Sequence, residues 1–235
     1  MFYIINKNEL NQNSSKIKFF IKYIVNFLFR FKFFRVNFFY LLPNYKFFKN
    51  LSSLKLDKNS TIIDLGANVG NVALYLSDIF GSKIYCYEPN PNCFNYLKKI
   101  FKRKKNITIY NKGASNNSRS QKLYFSENDK YKTFFFDGSS YDKEKGNICT
   151  SNFLTTKNEN INKILSRHKS IDLLKIDIEG WEYKIIKAVI QNLYKIKVVY
   201  VELHESSPKQ KILYSQTLQL LKKKKLLGKK VFLWI

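Results

Sequence analysis

The sequence predicts an α/β fold in which a mostly parallel sheet carries helices on both faces, preceded by an N-terminal helical segment. From residue 61 onwards, apolar runs of strand length alternate with runs of helical spacing. Residues 63–70 read IDLGANVG, an apolar strand that enters a glycine-bearing turn. A second apolar run ends on Glu88, 24 residues after Asp64. This spacing is typical of a nucleotide-binding βαβ unit.

The first half of this predicted domain holds three strands and two helices. Each strand is a short apolar run, and each helix is a longer run with apolar residues three or four positions apart. The second helix follows Pro89 and Pro91 and ends in a Lys/Arg cluster, which suits the negative end of a helix dipole. The predicted strands are 61–65, 83–88 and 107–111, and the predicted helices are 70–80 and 91–104.

The second half is less regular at its start. A short strand follows a turn-rich stretch, and the polar residues 126–150 are predicted to leave the sheet, as segments that contact substrates often do. The alternation then returns, with Pro208 opening the last helix and Gly228 preceding the last strand. The predicted strands are 122–125, 171–177, 197–203 and 230–234, and the predicted helices are 158–168, 181–192 and 208–224.

The turn after the first strand indicates the kind of ligand. It reads Gly66-Ala67-Asn68-Val69-Gly70, with Asn68 where a dinucleotide-binding turn has its middle glycine. That glycine lets the backbone approach a pyrophosphate closely, so an NAD-dependent dehydrogenase or epimerase is disfavoured. A ligand with an adenosine but no phosphate does not need it. S-adenosylmethionine (SAM) fits this description, and Glu88 is placed to accept hydrogen bonds from its ribose.

Acids also follow the later strands, where the carboxyl ends of a parallel sheet form its binding edge. Asp177 and Glu179 are two residues apart, so they point the same way in extended chain, and like charges raise one pKa. His204 lies two residues past Glu202. We predict His204 or Asp177 as the proton acceptor, with Glu179 and Glu202 orienting the substrate. The same carboxylates could form an oxygen-rich metal site, although no metal is predicted.

Three other polar residues have structural interpretations. Lys175 alternates with apolar residues of a buried strand, so it is expected to pair with an acid or to emerge at the sheet end. Glu182 is expected to cap the helix that follows it. His168 is expected to be solvated at the polar end of a helix.

Composition argues for one domain in a reducing compartment. The chain has 235 residues, 45% of them hydrophobic, which suffices for one well-buried core. The net charge of +25 suggests a polyanionic partner, but 37 of the 42 basic residues are lysine, and nucleic-acid surfaces rely on arginine. Codon bias is a simpler explanation of the lysines than a selected polyanion site, so nucleic acid is disfavoured. Cys86, Cys93 and Cys149 have no metal-binding spacing. With no signal-peptide pattern, we expect a cytoplasmic protein.

The N-terminal segment, residues 1–58, is set apart from the predicted catalytic domain, residues 59–235. Residues 16–49 hold fourteen aromatic and eight basic residues and no acid. One interpretation is a helical pair that packs on the domain. The other is a peripheral segment that lies on an anionic membrane, at the inner face of the cell membrane, and makes the protein a membrane-associated binding module. The oligomeric state is not indicated.

Three blocks of the sequence resemble the FkbM family of SAM-dependent methyltransferases. They are IDLGANVGNVALYL with YCYEPNPN at 63–92, IDLLKIDIEGWEY at 171–183 and VVYVELHE at 198–205. The resemblance implies the Rossmann-like class I methyltransferase fold, with an antiparallel final strand, and O-methylation of a hydroxyl on a sugar, glycan or related small molecule. Residues 155–165 lack an acidic pair that the family often has.

The resemblance also implies a cofactor site. By position, the turn lines the methionine part of SAM, Glu88 holds the ribose and Ala114 flanks the adenine. A nucleic-acid methyltransferase is the alternative, but the fourth strand ends in neither an NPPY motif nor a Pro-Cys nucleophile. The cofactor-binding residues expected are Asp64, Gly66, Ala67, Asn68, Gly70, Glu88, Ala114 and Asp177.

Overall fold

A computed structural model describes residues 50–51, 53–126, 139–146 and 148–233. The chain divides into two compact units, residues 1–55 and 56–235, close to the boundary predicted between residues 58 and 59. The strands and helices from Thr61 to Leu233 belong to the second unit. Both interpretations of residues 16–49 lie outside the described residues, as does part of the predicted excursion, residues 127–138.

Strands and helices alternate along most of the described part of this unit. The strands are β1 (Thr61–Leu65), β2 (Lys83–Tyr87), β3 (Ile107–Tyr110), β4 (Gly113–Ser115), β5 (Gln121–Ser126), β6 (Ile148–Thr156), β7 (Asn158–Asn160), β8 (Ile171–Ile176), β9 (Ile196–Val201) and β10 (Val231–Leu233). The helices are α1 (Asn71–Phe80), α2 (Pro91–Ile100), α3 (Ile161–Ser166), α4 (Glu182–Gln191) and α5 (Pro208–Lys223).

Six strands form the main sheet in the order β10-β9-β8-β1-β2-β3. All of its pairings are parallel. The chain builds outward from β1 to β3 and then returns to β8 on the other side of β1. The strand order therefore reverses between β1 and β8, and ligands bind at such a reversal, beyond the carboxyl ends of the strands. The predicted α/β class is confirmed.

The antiparallel final strand implied by the family resemblance is wrong for β10. Val231 pairs with Val199 of β9 in parallel register. The cause is the connection: α5 spans 16 residues and carries the chain back to the amino ends of the strands before β10 begins. A helix of that length produces a crossover, and a strand that follows a crossover runs parallel to its neighbour.

Three strands were not predicted, and two helices are shorter than predicted by four residues or more. β4 and β7 are three residues each, read GAS and NEN, and pair with one another. β7 takes the first residues of the helix predicted at 158–168, because the Asn160 side chain accepts the N–H of Asn162 and caps α3 there. β6 pairs antiparallel with β5 in a two-stranded ribbon whose strands lie on either side of the predicted excursion, residues 126–150. α2 ends at Ile100, not at residue 104.

The core lies under the central strands, which are apolar on both faces as parallel strands must be. Leu65 and Leu174 are fully buried and pack in one cluster with Ile164 of α3 and Ile185 of α4. Cys86 on β2 is also fully buried. Among the described helices, none has the length and apolar character needed to cross a membrane.

We expect Leu174→Ala to lower the free energy of unfolding by about 2–5 kcal/mol, because it leaves a cavity in the centre of the sheet. Ile212→Ala is the matched control, since Ile212 is 61% exposed, and it should change the free energy by less than about 0.5 kcal/mol. Urea denaturation followed by circular dichroism measures both. Equal losses would contradict the central position of Leu174.

Candidate functional site

The turn between β1 and α1 is pressed against the ends of two neighbouring strands. The N–H groups of Gly66 and Ala67 donate to the Tyr87 carbonyl, at 3.0 and 3.2 Å. Gly66 has a φ of 79°, and a Cβ atom there would lie 1.8 Å from the Asp177 carbonyl oxygen. Asn68 also has a positive φ, 46°, which asparagine tolerates better than most residues. Glycine at 66 is therefore required for the turn to meet β8.

Glu88 holds this turn from the other side. Its Oε2 accepts the N–H of Asn68 at 2.7 Å, and its Oε1 accepts the N–H of Asn90 at 2.8 Å. The side chain is buried, and burial raises its pKa to about 7 although the two N–H groups favour the charged form. Each carboxylate oxygen can accept a second hydrogen bond, so Glu88 can organise the turn and still bind a ligand.

A cleft that is open to solvent, with about 70 Å³ of enclosed space, lies beyond these strand ends. Of the predicted site residues, those that line it are Gly66, Asn68, Glu88, Ala114, Asp177 and Glu179. Asp64, Ala67, Gly70 and His204 are not among the lining residues. Gly70 has a φ of 81°, and a Cβ atom there would meet the side chains of Leu97 and Phe101.

Asp64 is fully buried behind the turn and forms an ion pair with Lys175. Lys175 Nζ lies 3.0 Å from Asp64 Oδ1 and 3.5 Å from Asp177 Oδ2, and it donates to the Gly66 carbonyl at 2.7 Å. Burial opposes the charge on Lys175, but the two carboxylates outweigh it and raise the pKa above its ordinary value. The predicted pairing of Lys175 with an acid is confirmed. Lys175 connects its partner Asp64 to the turn through the Gly66 carbonyl.

His204 sits among carboxylates at the end of β9. Its Nδ1 lies 3.0 Å from Glu182 Oε1, and its Nε2 lies 3.4 Å from Glu179 Oε2 and 3.8 Å from Glu202 Oε1. Burial lowers the pKa of His204, but the bond to Glu182 and the charges of nearby acids raise it overall, to about 9. His204 is therefore an imidazolium near pH 7.

Glu182 is the fully buried residue that orients His204. Its carboxylate accepts the N–H groups of Ile178 and Gly180 at the start of α4. The predicted capping interaction is thus present, and the same carboxylate also bonds His204. By contrast His168, predicted to be solvated, is partly buried against the Tyr85 ring at a centroid distance of 4.5 Å, and burial lowers its pKa.

Residues 139–146, part of the predicted excursion, lie over this edge, and sequence reasoning did not single out the residues through which they contact it. Lys145 is 8% exposed, and its Nζ lies 2.6 Å from Glu179 Oε2. The Ser140 hydroxyl donates to the Glu179 carbonyl. Tyr141 lines the cavity, donates to Asn158 at 2.8 Å and packs against the Trp181 ring. The only sequence signal was an aromatic and a lysine within a polar excursion.

Three of these side chains could also approach a divalent cation. One ligand atom each of Asp177, Glu179 and His204 lie within 4.8 Å of one another. Carboxylate with imidazole suits zinc or manganese. Lys175 and Lys145 already contact the two carboxylates in this group, so a cation would have to compete with both ammonium groups.

Comparison with known proteins gives one family and several distant structures. The sequence model of the methyltransferase FkbM domain matches residues 64–229. No curated protein matches the chain.

Solved structures that match include a precorrin-6y C5,15-methyltransferase from Geobacter metallireducens GS-15, with 13% identity, 77% of this chain and 72% of that chain covered, and a TM-score of 0.44. Human methyltransferase 10 domain containing protein has 12% identity, coverages of 81% and 71%, and a TM-score of 0.39. The N-terminal domain of human METTL16, in complex with SAH, has 13% identity, coverages of 81% and 61%, and a TM-score of 0.39.

We expect Lys175→Met to lower the free energy of unfolding by about 3–5 kcal/mol, because Asp64 would be left as a buried charge without its partner. Lys197→Met is the matched control: its side chain is 71% exposed and pairs with Asp172 on the same sheet, so its loss should cost less than about 1 kcal/mol. Guanidinium denaturation measures both. If the two variants lose equal stability, the buried ion pair contributes no more to the free energy of unfolding than the exposed one.

We expect His204 to titrate near pH 9, well above its ordinary value of 6.5. Because the folded pKa is the higher one, its charge stabilises the fold fully below about pH 6.5, and this contribution is lost as the pH rises from 6.5 to 9. NMR titration of the imidazole protons measures the pKa, and a His168→Gln variant assigns the signal. Glu182→Gln should lower the pKa of His204. A pKa of His204 at or below 6.5 in the wild type would contradict the effect that we assign to the neighbouring carboxylates.

Proposed function

The chain belongs to the FkbM methyltransferase domain family, and we propose that it transfers a methyl group from SAM to a hydroxyl oxygen of a sugar, a glycan or a related small molecule. The observation that carries this proposal is a single cavity bounded by the Gly66 turn, by Glu88 and by the Asp177–Glu179 segment. A cavity with this lining supports an adenosine ligand bound next to groups that can accept a proton.

The residue types around the cavity support SAM as the ligand. Gly66 and Asn68 line the cavity, and Glu88 keeps acceptor capacity at the end of β2. We assign Glu88 to the ribose hydroxyls and Ala114 to the adenine. Asp64 and Gly70 are better assigned to shaping the turn than to contacting the ligand, because Asp64 is buried against Lys175 and Gly70 against α2.

The charge of the site also suits SAM. When bound, SAM supplies a methyl group on a positively charged sulfonium. Asp177 and Glu179 line the cavity. Lys175 and Lys145 contact their carboxylates, but the acids at this edge outnumber the cations that contact them, which favours a cationic ligand and disfavours a pyrophosphate. This supports SAM over NAD on grounds independent of the turn sequence.

The proton of the acceptor hydroxyl needs a base, and Asp177 is the better of the two predicted candidates. Burial raises the pKa of Asp177 above its ordinary value, toward the range in which a carboxylate accepts a proton efficiently near neutral pH. His204 is charged below about pH 9, so it suits orientation of the acceptor oxygen more than proton removal. Glu202, whose pKa burial raises to about 7, lies beside His204 and can take part in either role.

A hydroxyl-rich, uncharged acceptor fits the mouth of the site. Glu179 and Glu202 have side chains that are 32% and 33% exposed, and carboxylates accept hydrogen bonds from sugar hydroxyls. The same charges repel the phosphates of a nucleic acid. This supports a sugar or glycan acceptor over a nucleic-acid acceptor.

We expect SAM to bind the wild-type protein in isothermal titration calorimetry and NAD to bind at least about tenfold more weakly. Glu88→Ala should weaken SAM binding by about 10- to 100-fold, because hydrogen bonds to a charged group are lost. Glu144→Ala is the control, since Glu144 is an exposed acid outside the cavity lining, and it should bind as the wild type does.

Circular dichroism of each variant tests folding, because Glu88 also holds the N–H groups of Asn68 and Asn90. Absence of SAM binding by folded wild-type protein would overturn the proposed cofactor. With SAM bound, transfer of radiolabelled methyl to a panel of sugars tests the acceptor. In that assay Asp177→Asn should abolish turnover while SAM still binds.

A further inference from the structure

The edge of the main sheet opposite the cavity is formed by the amino ends of its strands and by the loops that lead into them. Backbone hydrogen bonds join neighbouring loops there: Lys83 donates to Ser60, Ile84 to Asn106 and Ile171 to Lys195. Val199 donates to Lys230 at the β10 end. We name this surface the basic edge; it comprises residues 56–60, 81–83, 101–106, 168–171, 192–197 and 222–230.

The basic edge carries a dense set of exposed cations. Within the described residues they are Lys58, Lys83, Lys102, Arg103, Lys105, Lys169, Lys197, Lys222, Lys223, Lys224, Lys225 and Lys229. The described acids in or beside it are Asp57, Asp78 and Asp172. Two of the three are already paired, Asp78 with Lys104 and Asp172 with Lys197, so the surface keeps a large positive excess.

Most of the acids in the described residues lie away from the basic edge. Ten of the thirteen acids in the described residues lie at the cavity edge or in the segment that closes over it: Asp64, Glu88, Asp142, Glu144, Glu159, Asp177, Glu179, Glu182, Glu202 and Glu205. Codon bias toward lysine acts on all surface positions alike. It accounts for the high lysine content, but it does not account for the shortage of acids at the basic edge.

The chemistry of the basic edge fits a lipid surface better than a nucleic acid. Only Arg103 among its exposed cations can make bidentate contacts, and the lysines are point charges that respond to a diffuse negative potential. Tyr194, in the loop before β9, is 82% exposed, and exposed tyrosine beside lysine is typical of membrane interfaces.

We propose that the basic edge is a docking surface for an anionic lipid bilayer. Docking there sets the strands end-on to the membrane and directs the cavity away from it, so the cofactor and the acceptor reach the site from the aqueous side. The proposal does not rest on the methyltransferase reaction, and a failure of SAM binding would leave it intact.

The test compares binding of the full chain to vesicles of neutral phosphatidylcholine and to vesicles with about 30% phosphatidylglycerol, by co-sedimentation at low and physiological salt. The edge variant is Lys222→Gln/Lys223→Gln/Lys224→Gln/Lys229→Gln. The matched control removes the same charge from exposed lysines elsewhere: Lys143→Gln/Lys157→Gln/Lys209→Gln/Lys211→Gln. A second edge variant, Lys102→Gln/Arg103→Gln/Lys105→Gln, serves if the first does not fold.

We expect the wild type to bind the anionic vesicles and not the neutral ones, more weakly at higher salt. The edge variants should lose about tenfold or more in affinity, while the control loses less than about threefold. Equal losses in the edge and control variants would overturn the proposal, since net charge alone would then explain binding. Unchanged binding of the edge variants, or tighter binding of wild type to a mixed-sequence DNA duplex than to the vesicles, would overturn it as well.

Discussion

The ammonium group of Lys175 is the point on which the site depends. It joins the two strands at which the strand order reverses, because Asp64 lies on β1 and Lys175 is its direct partner in the β8 register. It also holds the Gly66 carbonyl and approaches Asp177. One buried cation thus fixes the turn, the end of β8 and the relative position of the cofactor and acceptor sides of the cavity. Two carboxylates and one carbonyl balance its charge, which is why a lysine is tolerated in the centre of an apolar sheet.

The sequence predicts the parts of this arrangement that are local. The spacing from Asp64 to Glu88, the glycine turn and the alternation of Lys175 with apolar residues all follow from short-range patterns, and each predicted residue lies at the expected edge. The contacts of Lys145, Tyr141 and Ser140 could not be predicted, because they join a polar segment to strands far away in sequence. His204 was expected beside a carboxylate, but its bond to the buried Glu182, which decides its charge, depends on how α4 starts.

Because the main sheet is all parallel, a charged residue lies at one edge or the other according to whether it precedes or follows a strand. Every strand of the main sheet begins at one edge and ends at the other, so residues that follow strands collect on one side and residues that precede them collect on the other. Most of the described acids therefore lie at the edge where the strands end, and the edge where they begin has few acids and many exposed lysines. An antiparallel sheet with the same sequence pattern would mix them. The same topology that builds the cavity thus separates it from the cationic surface.

The buried carboxyl group of Glu88 has a further thermodynamic consequence. With a pKa of about 7, it is partly protonated in the free protein at neutral pH. A ligand that donates hydrogen bonds to it stabilises the ionised form, so binding releases a fraction of a proton and becomes tighter as the pH rises through 7. The heat of binding then depends on the ionisation enthalpy of the buffer. Occupancy of this site is consequently coupled to the proton concentration around the protein.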